Sequence, residues 1–287
     1  MRMQYNKGLC INCFAATEKM GRKDNQDFFL PDGKNHLYIV ADGMGGYKGG
    51  AVASKFAGFM AKNIVKTINS LASKQPDETI MPEGEDLNYE DVLKHIFLEA
   101  HNETMAKGID DNAEGMGCTI VLLLFREERL YFLNAGDCRC YRYSEETLCQ
   151  LTRDHSKVED LLRNKKISKE EARTHENRNL VKRWIGGSRF SGMPDTCSIP
   201  YYINDRFILC TDGITKVLGD AGIENFAKLE NIKDAANGII SAVQTAPEEI
   251  VPGTQTIRIK DNATVMVLDV VSKIKDVAAV DSEETIR

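Results

Sequence analysis

An eight-residue run at positions 43–50, GMGGYKGG, holds five glycines. Glycine loses more backbone freedom on folding than any other residue. Such a run is therefore expected to be a loop, outside any regular element, where the chain turns sharply or comes close to a ligand. It follows directly on Asp42, which closes a short β-rich apolar segment, HLYIVA at 36–41. The same order returns at 206–213, where RFILCT leads into Asp212-Gly213. At 261–270 it is reversed, with Asp261-Asn262 ahead of ATVMVLDV, and Asp27 closes the polar stretch GRKDNQD just before Phe28-Phe29.

Acidic residues at strand ends can converge on one edge of a sheet sandwich. Several carboxylates at close range cannot all stay ionised without cations, because each raises the pKa of the next. Hard divalent cations accept such oxygen donors, and two of them about 3.5–4 Å apart make a centre for in-line displacement at phosphorus. A single Asp-Gly pair is more commonly a turn, with Asp bonding its own backbone and Gly taking positive φ. On spacing alone, both readings stand.

Composition narrows the partners. The 287 residues carry 37 Lys+Arg against 43 Asp+Glu, a net charge of −6, with 42% hydrophobic residues. That is an ordinary balance for a folded domain, and it lacks the basic track that phosphate backbones require. No nucleic-acid partner is expected. The longest uncharged apolar run, 118–125, is far short of the roughly 20 residues of a membrane span. The opening MRMQYNKGLC has no apolar signal core. A cytoplasmic protein with no membrane partner is expected. Eight cysteines are too sparse for a disulfide scaffold. Cys10, Cys13, Cys138 and Cys140 allow a zinc site, but reduced, partly buried thiols are the simpler reading.

Apolar periodicity gives helices at 51–68, 89–107, 157–164, 168–175, 221–229 and 232–245. Ser168 and Glu171 form a capping box. Strands are expected at 9–17, 36–41, 117–125, 130–134, 138–143, 206–211 and 263–270, spaced closely enough for antiparallel meanders. Residues 70–88 and 188–204 read as loops, and 127–129 as a turn. One domain over 1–272 is expected, with a polar tail at 273–287.

In order along the chain, GRKDNQD, VADGMGGYKGGAVAS, GCT, LNAGDCRCYRY, LTRDHS, FILCTDGITKVL and DNATVMVL resemble the motifs of the metal-dependent protein phosphatases. These are the type-2C serine/threonine enzymes, in their compact bacterial form. The resemblance runs from about residue 10 to 270. It implies an α+β fold, a four-layer α-β-β-α sandwich of two antiparallel sheets flanked by helices. It implies hydrolysis of phosphoserine and phosphothreonine on proteins by a hydroxide bridging two Mn²⁺ or Mg²⁺ ions, in opposition to a Ser/Thr kinase, by a monomer. Asp27, Asp42, the carbonyl of Gly43, Asp212 and Asp261 resemble the metal ligands, with Asp42 as the bridge. Arg22 resembles the phosphate clamp, and Asp137 the aspartate that helps hold a third, weaker ion. Residues 155–204 resemble the flap beside the active site. An inactive member used as a binding module is the alternative.

Three positions depart from the common pattern. Met44 stands where many members carry a histidine proposed as general acid, so no side-chain acid is assigned. Lys216 stands where many carry an aspartate of the third site, so that site is expected to be weak or absent. Gln26 replaces a common Glu and touches only the metal's water shell. His155 is read as orienting the flap or capping a helix.

Overall fold

A computed structural model describes residues 9–44, 46–73, 87–126, 129–247 and 260–272. The expected tail at 273–287, most of the loop at 70–88 and two residues of the turn at 127–129 lie outside the described residues. Eleven strands occur among the described residues: β1 (Leu9–Glu18), β2 (Asp27–Asp32), β3 (Leu37–Met44), β4 (Gly117–Phe125), β5 (Arg129–Ala135), β6 (Arg139–Ser144), β7 (Thr147–Gln150), β8 (Ile185–Gly186), β9 (Asp195–Pro200), β10 (Arg206–Cys210) and β11 (Ala263–Ser272). The helices are α1 (Gly46–Ser73), α2 (Tyr89–Asp110), α3 (Lys157–Arg163), α4 (Lys169–Thr174), α5 (Asp212–Ala227) and α6 (Ile232–Thr245).

One sheet runs β1-β11-β10-β6-β7 and the other β2-β3-β4-β5-β9, with β8 pairing beside the start of β4. Every pairing is antiparallel. Strand alternation sorts side chains into three apolar layers. Leu37, Ile39, Ile120 and Leu122 pack under α1 and α2. Val40, Val121, Leu123, Leu209 and Leu268 meet between the sheets. Ile208, Val265 and Val267 pack against Ile223, Ile239 and Val243 of α5 and α6. The central strands are buried on both faces, which is why 118–125 is uninterruptedly apolar. This is the four-layer α-β-β-α arrangement.

Two loop expectations are corrected. The glycine run is not wholly a loop, since β3 extends through Met44 and α1 begins at Gly46. None of Gly43, Gly49 and Gly50 takes positive φ. They are needed for closeness: a Cβ on Gly43 would lie 2.2 Å from the Gly50 carbonyl oxygen, and one on Gly49 would lie 2.9 Å from Met116 Cβ. Packing thus overrides glycine's poor helix propensity. The second correction is at 188–204, where β9 pairs with β5 along its whole length. Its prolines sit outside or at the end of that edge strand, where no ladder donor is required.

Candidate metal centre

The strand registers gather the acidic residues at one edge of the sandwich. Asp27 opens β2 directly opposite Asp42 on β3, and Asp42 faces Thr119 on β4. In the other sheet Cys210 lies opposite Val265 of β11 and Arg139 of β6. Asp212 follows two residues beyond Cys210, at the start of α5, and Asp137 precedes Arg139 by two, close enough for the two carboxyls to interact. Asp261 lies just before β11.

Charge follows from this packing. Burial, then the charges of Asp27, Asp212, Asp137 and Asp261, hold the Asp42 carboxyl well above the usual carboxylate range. Burial pushes Asp27 up to about 7, helped by Asp212 and Asp261 and opposed by hydrogen bonds from Thr264 and Thr211. Burial and the neighbouring Asp212 push Asp137 up to about 7 against the pull of Lys216. Five aspartates foreseen as a set therefore lie within one another's fields.

Arg22 is half exposed, and its Nη2 donates to Asp261 Oδ2 at 2.7 Å. Gly43 donates its N–H to the Gln26 carbonyl at 3.1 Å. Lys216, one helical turn beyond Asp212 on α5, is ion-paired to Asp212 Oδ2. Burial alone would favour loss of its proton, but Asp212 and Asp137 outweigh that and hold the ammonium charged. Asp212 is the first residue of α5, so its negative charge also meets the positive end of the helix dipole. The Asp212-Gly213 pair is a strand-to-helix junction and not a turn with positive φ. A Cβ on Gly213 would fall 1.9 Å from the Asn262 carbonyl oxygen.

Residues outside the expected ligand set hold this edge in place. Thr211 occupies the N-cap of α5 without capping it. Its hydroxyl donates to Asp27 Oδ2 at 2.9 Å and accepts the Thr264 N–H at 3.0 Å. Asn262 Nδ2 donates to the carbonyls of Lys19 and Asp24, each at 3.0 Å, and its Oδ1 accepts the Gln26 N–H at 2.9 Å. It clasps the segment that carries Arg22. His155 is buried, and its Nδ1 accepts the Gly136 N–H at 3.2 Å, next to Asp137. The local signal for all three was their adjacency to the acidic motifs.

The donor set suits hard cations. Asp27 Oδ1 and Asp212 Oδ1 are buried without a hydrogen-bond partner, a costly state for a carboxylate unless a cation meets it. All the donors are oxygens, the preference of Mg²⁺ and Mn²⁺. Among the described residues no three His, Cys, Asp or Glu side chains close round a single ion. The carboxylates are instead tied to Thr211, Lys216 and Arg22. The cysteines are free thiols, with Cys10, Cys149 and Cys197 exposed. Burial pushes Cys13 and Cys210 up to about 12, so both stay protonated and inert at neutral pH.

The chain is similar to known proteins in both sequence and fold. The family model described as protein phosphatase 2C matches residues 16–246. The serine/threonine phosphatase stp of Listeria innocua is 33% identical over 206 residues, 72% of this chain and 77% of that protein. The crystal structure of the Mycobacterium tuberculosis serine/threonine phosphatase PstP/Ppp superposes with a TM-score of 0.72 at 25% identity, covering 90% of this chain and 98% of that one. The catalytic domain of PstP in complex with two manganese ions gives a TM-score of 0.71 at 26% identity, covering 92% and 99%.

Proposed function

The chain belongs to the protein phosphatase 2C family, and from that premise we propose a division of labour among its residues. The activity is metal-dependent dephosphorylation of serine and threonine on proteins. The observation that supports the residue roles best is the pair of partnerless buried oxygens on Asp27 and Asp212. Asp27, Asp42, the Gly43 carbonyl, Asp212 and Asp261 would hold two Mn²⁺ or Mg²⁺ ions, with Asp42 shared. Such ions, when bound, supply Lewis acidity at phosphorus and water activated at neutral pH.

The chain's own groups do the rest. Arg22 exchanges its contact with Asp261 for two oxygens of the phosphoryl group, which its planar fork fits. There it offsets the charge that develops during in-line attack. Thr211 fixes the Asp27 carboxylate in one orientation through its 2.9 Å hydrogen bond. Asn262 keeps the Arg22 segment in register with Asp27. Met44 has no exchangeable proton to give, so the leaving alkoxide takes its proton from solvent in the site. Asp137 has a weaker claim as a ligand, because Lys216 already places a positive charge beside it. A third ion is therefore weak or absent.

The enzyme opposes a Ser/Thr kinase and acts as a cytoplasmic monomer in this reading. Among the described residues no helix is long and apolar enough to cross a membrane. The test is hydrolysis of p-nitrophenyl phosphate and of a phosphothreonine peptide, with and without Mn²⁺, by wild type and Asp212→Ala. Metal-dependent turnover that collapses in the variant is expected. No turnover by folded wild type with any divalent metal would overturn the reading in favour of a binding module.

A further inference from the structure

The chain's charge is unevenly distributed. Against a net charge of −6 overall, residues 153–189 carry eleven Lys+Arg and six Asp+Glu. Part of that excess lines a hollow of about 610 Å³ where α3 turns into α4, bordered by Arg163, Lys165, Lys166 and Lys169 over a floor of Leu162 and Ile167. Of its two carboxylates, one is engaged elsewhere. Glu171 accepts the Ser168 N–H at 2.7 Å in the capping box. Glu159 remains beside the cations, its carboxyl raised by burial and by Asp154 against the pull of Arg139 and Arg153. Lys165, Lys166 and Lys169 are exposed and have no ion-pair partner among the described residues. Lys165 also takes φ 53°, a left-handed conformation that glycine adopts more readily. Three like charges thus crowd one turn of the chain, one of them in an unfavourable backbone state.

The hollow is tied to the catalytic edge. His155 accepts the Gly136 N–H through its ring, and its own N–H reaches the Gly136 carbonyl at 2.8 Å. Ser156, the next residue, caps α3. Three Cα steps, one backbone-paired crossing from Gly136 to His155 and the roughly 10 Å of a seven-residue helix set the path from Asp137 to the far end of α3 at about 27 Å or less. An extended peptide covers that in about eight residues or fewer.

We propose that this hollow selects phosphoprotein substrates with acidic side chains about four to eight residues from the phosphorylated Ser or Thr. The inference rests on the phosphatase reading above. The occupant is an acidic peptide, because four cationic side chains border the hollow against two carboxylates, and its three lysines lack ion-pair partners among the described residues. Such a surface gathers an anionic segment and repels a basic one.

The experiment compares phosphothreonine peptides carrying three Glu at that spacing, on either side, with peptides carrying Gln there. The proteins are wild type, Lys165→Gly, and the triple variant Lys165→Gly/Lys166→Ser/Lys169→Ser, all with Mn²⁺. Wild type is expected to favour the Glu peptide by about fivefold in kcat/KM, carried by KM, as exposed ion pairs allow. The preference should shrink as ionic strength rises from about 0.05 M to about 0.5 M. It should vanish in the triple variant while p-nitrophenyl phosphate turnover stays at the wild-type level. Lys165→Gly relieves the left-handed residue, so it should fold at least as stably and still lose part of the preference. Equal Glu and Gln rates in active wild type would overturn the proposal. So would a preference that survives the triple variant, or lysine-dependent binding to phosphatidylserine vesicles without peptide discrimination. Failure of wild type to turn over p-nitrophenyl phosphate would strike the phosphatase reading itself, and this proposal with it.

Discussion

Asn262 offers the sharpest test of how the catalytic edge is held, because its side chain makes three hydrogen bonds to backbone and is almost fully buried. In Asn262→Ala the carbonyls of Lys19 and Asp24 and the N–H of Gln26 all lose this partner. At roughly 1 kcal/mol for each bond, the loss is about 3 kcal/mol. For a domain of this size that lowers Tm by about 6–12 °C. Asn262→Asp should be worse in metal-free protein. It keeps the acceptor for Gln26 but turns a carboxylate oxygen toward two carbonyls, and it adds a charge beside Asp261. Urea unfolding in EDTA should therefore rank wild type above Asn262→Ala above Asn262→Asp. Because the clasped segment carries Arg22, kcat/KM for p-nitrophenyl phosphate in saturating Mn²⁺ should fall at least tenfold in Asn262→Ala. A variant within about 0.5 kcal/mol of wild type and within twofold in kcat/KM would refute the clasp, since a bond set of this kind cannot be worth so little.

Three further outcomes are expected. Lys216→Asp should raise the number of Mn²⁺ ions resolved by calorimetric titration, whereas three comparably tight sites in wild type would contradict the role given to Lys216. Asp27 and Asp137 are each held near 7, above the ordinary 3.8, so the metal-free fold binds protons that the unfolded chain has released. Their contribution to stability is full below about pH 4 and is lost as pH rises through about 7. In EDTA, Tm should fall from pH 5 to pH 8; Mn²⁺ should restore it at pH 8, and the fall should flatten in Asp27→Asn/Asp137→Asn. Gly213→Ala puts a Cβ 1.9 Å from a backbone oxygen that cannot yield, while Gly115→Ala meets open space and only an unfavourable φ of 85°. The first should cost several kcal/mol and the second about 1 kcal/mol by urea unfolding.

Much of this was legible in the sequence because the strands are buried on both faces. Runs such as 118–125 and 263–268 announce themselves, and the aspartates stand out by ending or opening such runs. The capping box at Ser168 and the bounds of α6 were visible for equally local reasons. The glycine run was misread because glycine's usual meaning is conformational, whereas here Gly43 and Gly50 lack side chains so that α1 can approach β3. The strand β9 was hidden because an edge strand needs only one buried face and tolerates proline at its end. Thr211 and Asn262 were legible only as neighbours of the motifs, and His155 was read as a flap or capping residue without its bond to Gly136. What each does depends on partners as far as 243 residues away, as in Asn262 with Lys19, and no local pattern encodes such a partner.

The position of β11 between β1 and β10 has a consequence for synthesis. Asp27 and Asp42 leave the ribosome early, whereas Asp261 follows about 220 residues later, roughly 10–40 s at ordinary elongation rates. Until then β1 has no partner along its length, since every residue of Leu9–Glu18 pairs with β11. A nascent chain can bury the layer beneath α1 and α2 but cannot close the sheet that carries Asp212. On the proposed ligand roles the emerging polypeptide is expected to be catalytically silent, with an exposed strand edge that nascent-chain chaperones would shield. With the ligand roles proposed above, phosphatase activity is expected only once the strand beginning at Ala263 has paired between β1 and β10.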